Sequence, residues 1–334
     1  MAIKFSFFVK LAFVSCLVCV YAAAAGKTKI DPPVRHLFFE KYKQRPGKDP
    51  FVTTDSANCI IPFSRAGNLI IIRAKADTVE GNFILDTGAP GLVLNITYFR
   101  NYTPVEHGDD IQGGLTGAVE GGGRIELDKL SFGPVKYEKV EADRINLGHI
   151  ENNKGIKIHG LMGMQLFKNF EMIIDYENNL IHLHLLGKKD PKDYKHELLK
   201  DTTAYIESPV EFVENKLITF VYSGGKKLKF IIDTGAESNL IDSRLPDKIL
   251  GDIVVTRRVF LTGTGSSRVE ALSGNANKLS IGNYDVSNLP VIVTNLEKLC
   301  YAYEKCLDGM LGFDFLSRQK IGFNFVKRKM YIWK

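Results

Sequence analysis

Phe83-Ile84-Leu85-Asp86-Thr87-Gly88-Ala89 returns later in the chain as Phe230-Ile231-Ile232-Asp233-Thr234-Gly235-Ala236, an offset of 233 − 86 = 147. One Asp-Thr-Gly alone marks little more than a turn between strands. Here the landmarks around it keep the same interval. Gly160-Leu161-Met162-Gly163 is answered by Gly309-Met310-Leu311-Gly312 at 309 − 160 = 149, and Leu130-Ser131-Phe132-Gly133 by Leu279-Ser280-Ile281-Gly282 at 279 − 130 = 149. Leu115-Thr116-Gly117 is answered by Leu261-Thr262-Gly263, and Ile174-Asp175-Tyr176 by Phe323-Asn324-Phe325; Pro62 and Pro209 stand equally far upstream of their aspartates. Ordered landmarks at a nearly constant offset define a duplicated unit. The chain is read as two homologous lobes.

The unit is β-rich. Leu69-Ile70-Ile71-Ile72, Phe83-Ile84-Leu85, Leu92-Val93-Leu94 and Met172-Ile173-Ile174 are short apolar runs bounded by glycine or polar turns, and the second unit repeats the pattern. Short helices are expected over Gln165 to Phe170 and Asp314 to Gln319, with no long amphipathic helix. The expected fold is therefore all-β and bilobal. The expected organisation is a leader over 1–25, an N-terminal extension over 26–57, a first lobe over 58–187, a charged linker over 188–205 and a second lobe over 206–334. The proline-bearing extension fits a pro-segment, an arm packed on the lobes or a disordered tail.

Composition agrees with a folded protein. Of 334 residues, 45% are hydrophobic and 25% charged, with 30 Gly and 12 Pro, which excludes collagen-like and disordered classes. The net charge of +6 includes Lys4 and Lys10 of the leader, so 6 − 2 = +4 remains without them. These charges are scattered with no dense Lys/Arg block, which excludes nucleic acid as an expected partner.

Met1 to Ala25 has the form of an export signal: Lys4 and Lys10, an apolar run from Leu11 to Val20, then small residues from Ala22 to Ala25. The apolar run is shorter than the roughly 20 residues of a membrane span. Phe13-Val14-Ser15-Cys16 admits an alternative, a lipoprotein anchored through Cys16, although apolar residues rather than a polar tether follow it. The expected location is periplasmic or secreted. Beyond the leader stand Cys59, Cys300 and Cys306; a Cys300–Cys306 disulfide and isolated buried thiols are both open.

Two aspartates in equivalent turns carry a specific chemistry. Carboxylates a few ångströms apart cannot both ionise cheaply, so the pair holds one proton between them. The charged member can take a proton from a water between them, and the neutral member can protonate the carbonyl under attack. That arrangement hydrolyses an amide without a covalent enzyme intermediate, and no metal or other cofactor is expected.

The two Phe-Ile-(Leu/Ile)-Asp-Thr-Gly-Ala segments with their later glycine motifs resemble those of aspartic peptidases. The alanine after glycine and the compact lobes are most similar to the retropepsin-like branch, and the tail Gly309-Met310-Leu311-Gly312-Phe313-Asp314-Phe315-Leu316 resembles exported bacterial members with two retropepsin-like lobes in one chain. The resemblance covers about residues 60 to 334. It implies β-barrel lobes, Asp86 and Asp233 as catalytic dyad, Thr87 and Thr234 as reciprocal hydrogen-bonding locks, and Gly88 and Gly235 as the points of close approach. It also implies that Leu161-Met162-Gly163 and Met310-Leu311-Gly312 thread behind the aspartate loops. Substrate-covering flaps fall on Gly114, Leu115, Thr116 and Gly117 in the first lobe and on Thr262, Gly263 and Thr264 in the second; surface loops are the plain alternative. Gln165 stands where the second lobe has Asp314, a departure from lobe symmetry.

His182 and His184 alternate along one strand and are expected on a surface face, with no third ligand spaced to make a metal site. Asn95-Ile96-Thr97 and Asn101-Tyr102-Thr103 are formal glycosylation sequons. The expected protein is an exported, monomeric aspartic endopeptidase acting on polypeptide. Its rivals are a narrow processing peptidase with one protein substrate and a non-catalytic peptide-binding protein that keeps the fold.

Overall fold

A computed structural model describes residues 49–53, 57–105, 111–114, 117–187, 196–213, 215–261, 269–302 and 306–334. The leader, most of the extension and much of the linker expected from sequence lie outside these residues. The described chain is all-β and bilobal: two barrels joined by a shared sheet, with a few helices of at most seven residues.

In the first lobe, Leu69–Ala76, Val79–Leu85, Gly160–Met162, Leu92–Asn95, Val135–Ile145 and Gly117–Phe132 pair in that order, and the last pairs back with the first to close a six-stranded barrel. The second lobe repeats the circuit with Lys216–Ser223, Lys226–Ile232, Gly309–Leu311, Leu240–Asp242, Leu289–Thr294 and Val269–Ala276; Leu279–Ile281 supplies the closing pair to Lys216–Ser223. Alternating apolar residues turn inward, and Phe83, Phe99, Phe132, Phe230, Phe315 and Phe323 are fully buried. Burial of each such side chain stabilises the fold by roughly 1.5–3 kcal/mol.

The lobes share a six-stranded antiparallel sheet. Its order is Tyr205–Val213, Lys329–Trp333, Ile321–Asn324, Phe170–Asp175, Leu180–Leu185 and Asn58–Pro62. The seam is the pairing of Met172 with Phe323 and Ile173 with Gly322, which are duplicated segments facing each other. Phe170, Met172, Ile174, Ile181, Leu183, Ile321, Phe323, Met330 and Ile332 of this sheet belong to one hydrophobic cluster with both barrels, so the joint is continuous with both cores.

The expected helices are shorter than read: one 3-10 turn over Met164–Leu166 and one helix over Phe313–Leu316. Both are cut short because the chain must enter the central strand within a few residues. The extension contributes Phe51–Val52, paired with Val135 and Lys136, so this part is an arm packed on the first barrel. His184 corrects the expected surface face: it is buried, with Nδ1 2.8 Å from Asn58 Oδ1, because Asn58–Pro62 covers its strand and His196 packs above its neighbour His182. Asn95 is also buried, its amide donating to Ile158 O, and no glycan can be attached there in the folded chain. Cys300 and Cys306 are joined, while Cys59 is a buried thiol.

Candidate active site

Each aspartate stands at the end of a central barrel strand. Gly160↔Phe83, Leu161↔Ile84 and Met162↔Leu85 pair in parallel, and Gly309↔Phe230, Met310↔Ile231 and Leu311↔Ile232 repeat that register. The threaded strands then hold the aspartates through their backbones, Asp86 N donating to Met162 O at 3.0 Å and Asp233 N to Leu311 O at 2.9 Å. Gly160 and Gly309 are required because a Cβ would enter the rings of Phe83 and Phe230. Gly312 N donates to Asn239 Oδ1 at 2.8 Å, and Asn239 is fully buried. Asn239 has no match in the first lobe, so the repeat did not single it out.

The two loops then lock together. Thr87 N donates to Thr234 Oγ1 at 3.0 Å and Thr234 N donates to Thr87 Oγ1 at 3.0 Å; the hydroxyls pass on to Ile232 O and Leu85 O, each at 2.8 Å. Both threonines are buried, so all four bonds are shielded from water. Gly88 and Gly235 permit the approach: a Cβ on Gly88 would strike the Asp233 carboxyl and one on Gly235 the Asp86 carboxyl. Residues Asp86, Thr87, Gly88, Asp233, Thr234 and Gly235 therefore form one cluster across the junction of the lobes.

The carboxyls lie close together, each against the glycine of the opposite loop. Asp86 Oδ1 accepts from Gly88 N and Ala89 N, both at 2.9 Å, and Asp233 Oδ1 accepts from Gly235 N at 2.8 Å. Burial pushes both groups above the usual carboxylate range, and the adjacent charge of Asp86 drives Asp233 further, well above it. The backbone donors and Lys216 pull the other way. Such a pair holds one proton more readily than none or two, which is the state that can take one proton and give another.

Two interlobe contacts were not legible in the sequence. Lys216 Nζ donates to Gly88 O at 3.2 Å from the opposite lobe. Glu237 accepts from Asn68 N at 3.2 Å and pairs with Lys154 of the first lobe. Each lobe's first hairpin thus rests on the other lobe's aspartate loop. Neither residue belongs to a repeated motif, so nothing in one dimension marked it.

The flap candidates sit on hairpins. Ile111–Gly114 pairs with Gly117–Phe132, with Gly114 opposite Gly117, and Ile253–Leu261 pairs with Val269–Ala276. Their tips, Leu115 and Thr116 in one lobe and Thr262, Gly263 and Thr264 in the other, lie outside the described residues. Gly121 to Gly123 mark a bulge at the base of the first hairpin, where Gly123 has φ 80°. Asp314, near Ser238 and Asn239, and Gln165 occupy equivalent turns but are held differently, as the unmatched residues imply.

Two barrels around a half-buried aspartate pair define a protein of aspartic-protease architecture. Residues 219–315 match the family model described as aspartyl protease, a span that includes Asp233-Thr234-Gly235 and Gly309 to Gly312. The second lobe is in this coarse sense aspartyl-protease-like. No curated protein matches the chain. Among solved structures the crystal structure of Basic 7S globulin from soybean is similar at 10% identity and a TM-score of 0.43, over 83% of this chain and 94% of that one.

Proposed function

We propose that the chain is an aspartic endopeptidase of the two-lobed, retropepsin-like type in which Asp86 and Asp233 share one proton and activate a water. The observation that carries this reading is the pair of carboxyls brought together, each against the opposite loop's glycine, by reciprocally locked threonines. The ionised carboxyl takes a proton from the water as its oxygen attacks the peptide carbonyl carbon. The protonated carboxyl donates to the carbonyl oxygen, giving a gem-diol. The carboxyl now protonated then donates to the leaving nitrogen while the other takes a proton from a gem-diol hydroxyl; the C–N bond breaks, a carboxylic acid and an amine form, and the pair is again singly protonated. Gly88 N, Ala89 N and Gly235 N orient the carboxyls without being consumed.

An extended polypeptide between the lobes, under the two hairpins, is the substrate class this geometry favours, bound chiefly through its backbone. One chain carries both aspartates, so a monomer suffices. An exported enzyme is part of the same proposal: the leader over 1–25 and the Cys300–Cys306 disulfide both support an oxidising compartment. The test is incubation of the purified chain with a mixed synthetic peptide pool from about pH 3 to 8, with products read by mass spectrometry. Cleavage with a bell-shaped pH dependence, undiminished by iodoacetamide or a serine-directed fluorophosphonate, is expected. Silence across the whole range, or complete inhibition by either reagent, would contradict the proposal.

A further inference from the structure

The two aspartates share their strand, threonine and glycine contacts, and one of the differences between their surroundings is a cation. Lys216 opens the strand Lys216–Ser223, and its equivalent at 216 − 147 = 69 is Leu69, which opens the strand Leu69–Ala76 and is buried among aliphatic residues. The hairpins are otherwise alike: Val213 pairs with Lys216 as Ala66 pairs with Leu69. Only in the second lobe does this position send a charged side chain over the partner loop, where Nζ donates to Gly88 O at 3.2 Å.

We propose that Lys216 is a positioning residue of the aspartate pair: from the second lobe it holds the Gly88 carbonyl and sets a fixed positive charge beside Asp86 and Asp233, so that the pair carries one proton rather than two. Two carboxyls in a shielded site otherwise favour full protonation, a state with no base to take a proton from water. A nearby ammonium stabilises the form that has lost one proton, and its attraction reaches both aspartates. The tether to Gly88 matters as well, because that glycine's own N–H orients Asp86.

Other ionisable groups around the two loops leave Lys216 this role. Lys154 and Glu237 are paired with each other across the lobes and so largely cancel. Asp314 is held by Ser238 and the Asn239 backbone and has Arg318 as its cationic neighbour. Arg65 lies over the ring of Phe313. Among the described residues Lys216 is the cation whose charge acts on both members of the pair.

This inference rests on the dyad reading, and its test separates the two. Lys216→Gln keeps a donor for Gly88 without the charge, Lys216→Met removes both, and Lys216→Arg keeps both. For each, the pH dependence of kcat/KM would be measured on one peptide cleaved from the pool. The carboxyl carbons of 13C-aspartate-labelled protein would be titrated by NMR, with the pair's signals assigned by their loss in Asp86→Asn and Asp233→Asn. The expected result is that both limbs of the profile and both dyad titrations move to higher pH in Lys216→Gln and Lys216→Met and stay in place in Lys216→Arg. Profiles and titrations that coincide in the parent and Lys216→Gln would overturn the proposal while leaving the dyad standing. Undiminished cleavage by Asp233→Asn would instead sink the dyad reading, and the NMR titration would still decide whether Lys216 acts on the pair.

Discussion

Gly88 and Gly235 show how a single hydrogen can decide a site. Each lies where a Cβ would meet the opposite carboxyl, so an alanine must push the lobes apart or turn an aspartate away. Gly88→Ala and Gly235→Ala are expected to destabilise the chain by about 1–3 kcal/mol, the usual range for overpacking, and to abolish cleavage. Denaturant melts alongside the peptide assay would check both. Thr87→Val and Thr234→Val keep the volume but strand buried partners, each costing about 1–3 kcal/mol. The aspartates carry the opposite sign. Their folded values are raised, so their contribution to stability is full below the unfolded carboxylate range and is lost as pH rises through the folded values. Asp233→Asn is therefore predicted to melt above the parent at pH 7, with the advantage shrinking toward pH 4; calorimetry at both values would show it. An equal or lower melting temperature at neutral pH would mean that the pair carries no such burden.

At the scale of elements, the duplication was legible wherever chemistry keeps residue identity, and lost wherever only conformation is kept. Asp-Thr-Gly and the Gly-x-x-Gly strands survive because a carboxylate, a hydroxyl and a missing Cβ have no substitutes there. The turns tell the contrary story. Asp77 and Gly224, Lys139 and Asn288, and Asn179 and Arg328 are equivalent pairs with left-handed backbone, φ 50° and 55°, 54° and 49°, and 55° and 55°. The turns match while the residues do not, because the strain of one left-handed residue is small beside the pairing it permits. Lys216 and Glu237 escaped for a related reason: their partners lie in the other lobe, so no local spacing points to them. His184 misled because alternation shows that two residues share a face, not what covers it. The Cys300–Cys306 bridge ties down the helix Glu297–Ala302. Cys300→Ser with Cys306→Ser is expected to lower stability by about 2 kcal/mol, since the closed loop is short. Denaturant titration of the double variant would read the loss.

Among the described residues the largest hydrophobic cluster spans both lobes, and the site lies at the seam. A core runs from one barrel through the shared sheet into the other, so separation of the lobes would expose Met172, Ile174, Phe323 and Phe325. Titratable groups at that sheet set its acid limit. Burial, together with His182 and His184, holds His196 down to about 4, so this imidazole is neutral in the fold and must charge on unfolding. Stability from His196 is full above the ordinary histidine value and lost as pH falls through the interval from about 6.5 to about 4. Asp175 acts lower still. Burial pushes it up, but Asn178 and Lys320 override that and hold it at about 2, so its contribution persists from the usual carboxylate range upward and fades as pH approaches about 2. His196→Gln is predicted to flatten the fall in melting temperature between pH 6.5 and 4; an unchanged slope would remove His196 from the account. If the chain works in acid, this sheet limits how far the medium can fall before the lobes loosen.

The central claim is that Asp86 and Asp233 act as one unit, and the most direct measurement compares the parent, Asp86→Asn, Asp233→Asn and the double variant on one peptide pool by mass spectrometry. Loss of either half of a shared-proton pair should remove nearly all turnover, a fall of at least about 100-fold, with the double variant no worse than the singles because the pair is non-additive. Circular dichroism should show all four folded. A folded single variant that cleaves at the parent's rate would contradict the account, because one aspartate would then suffice.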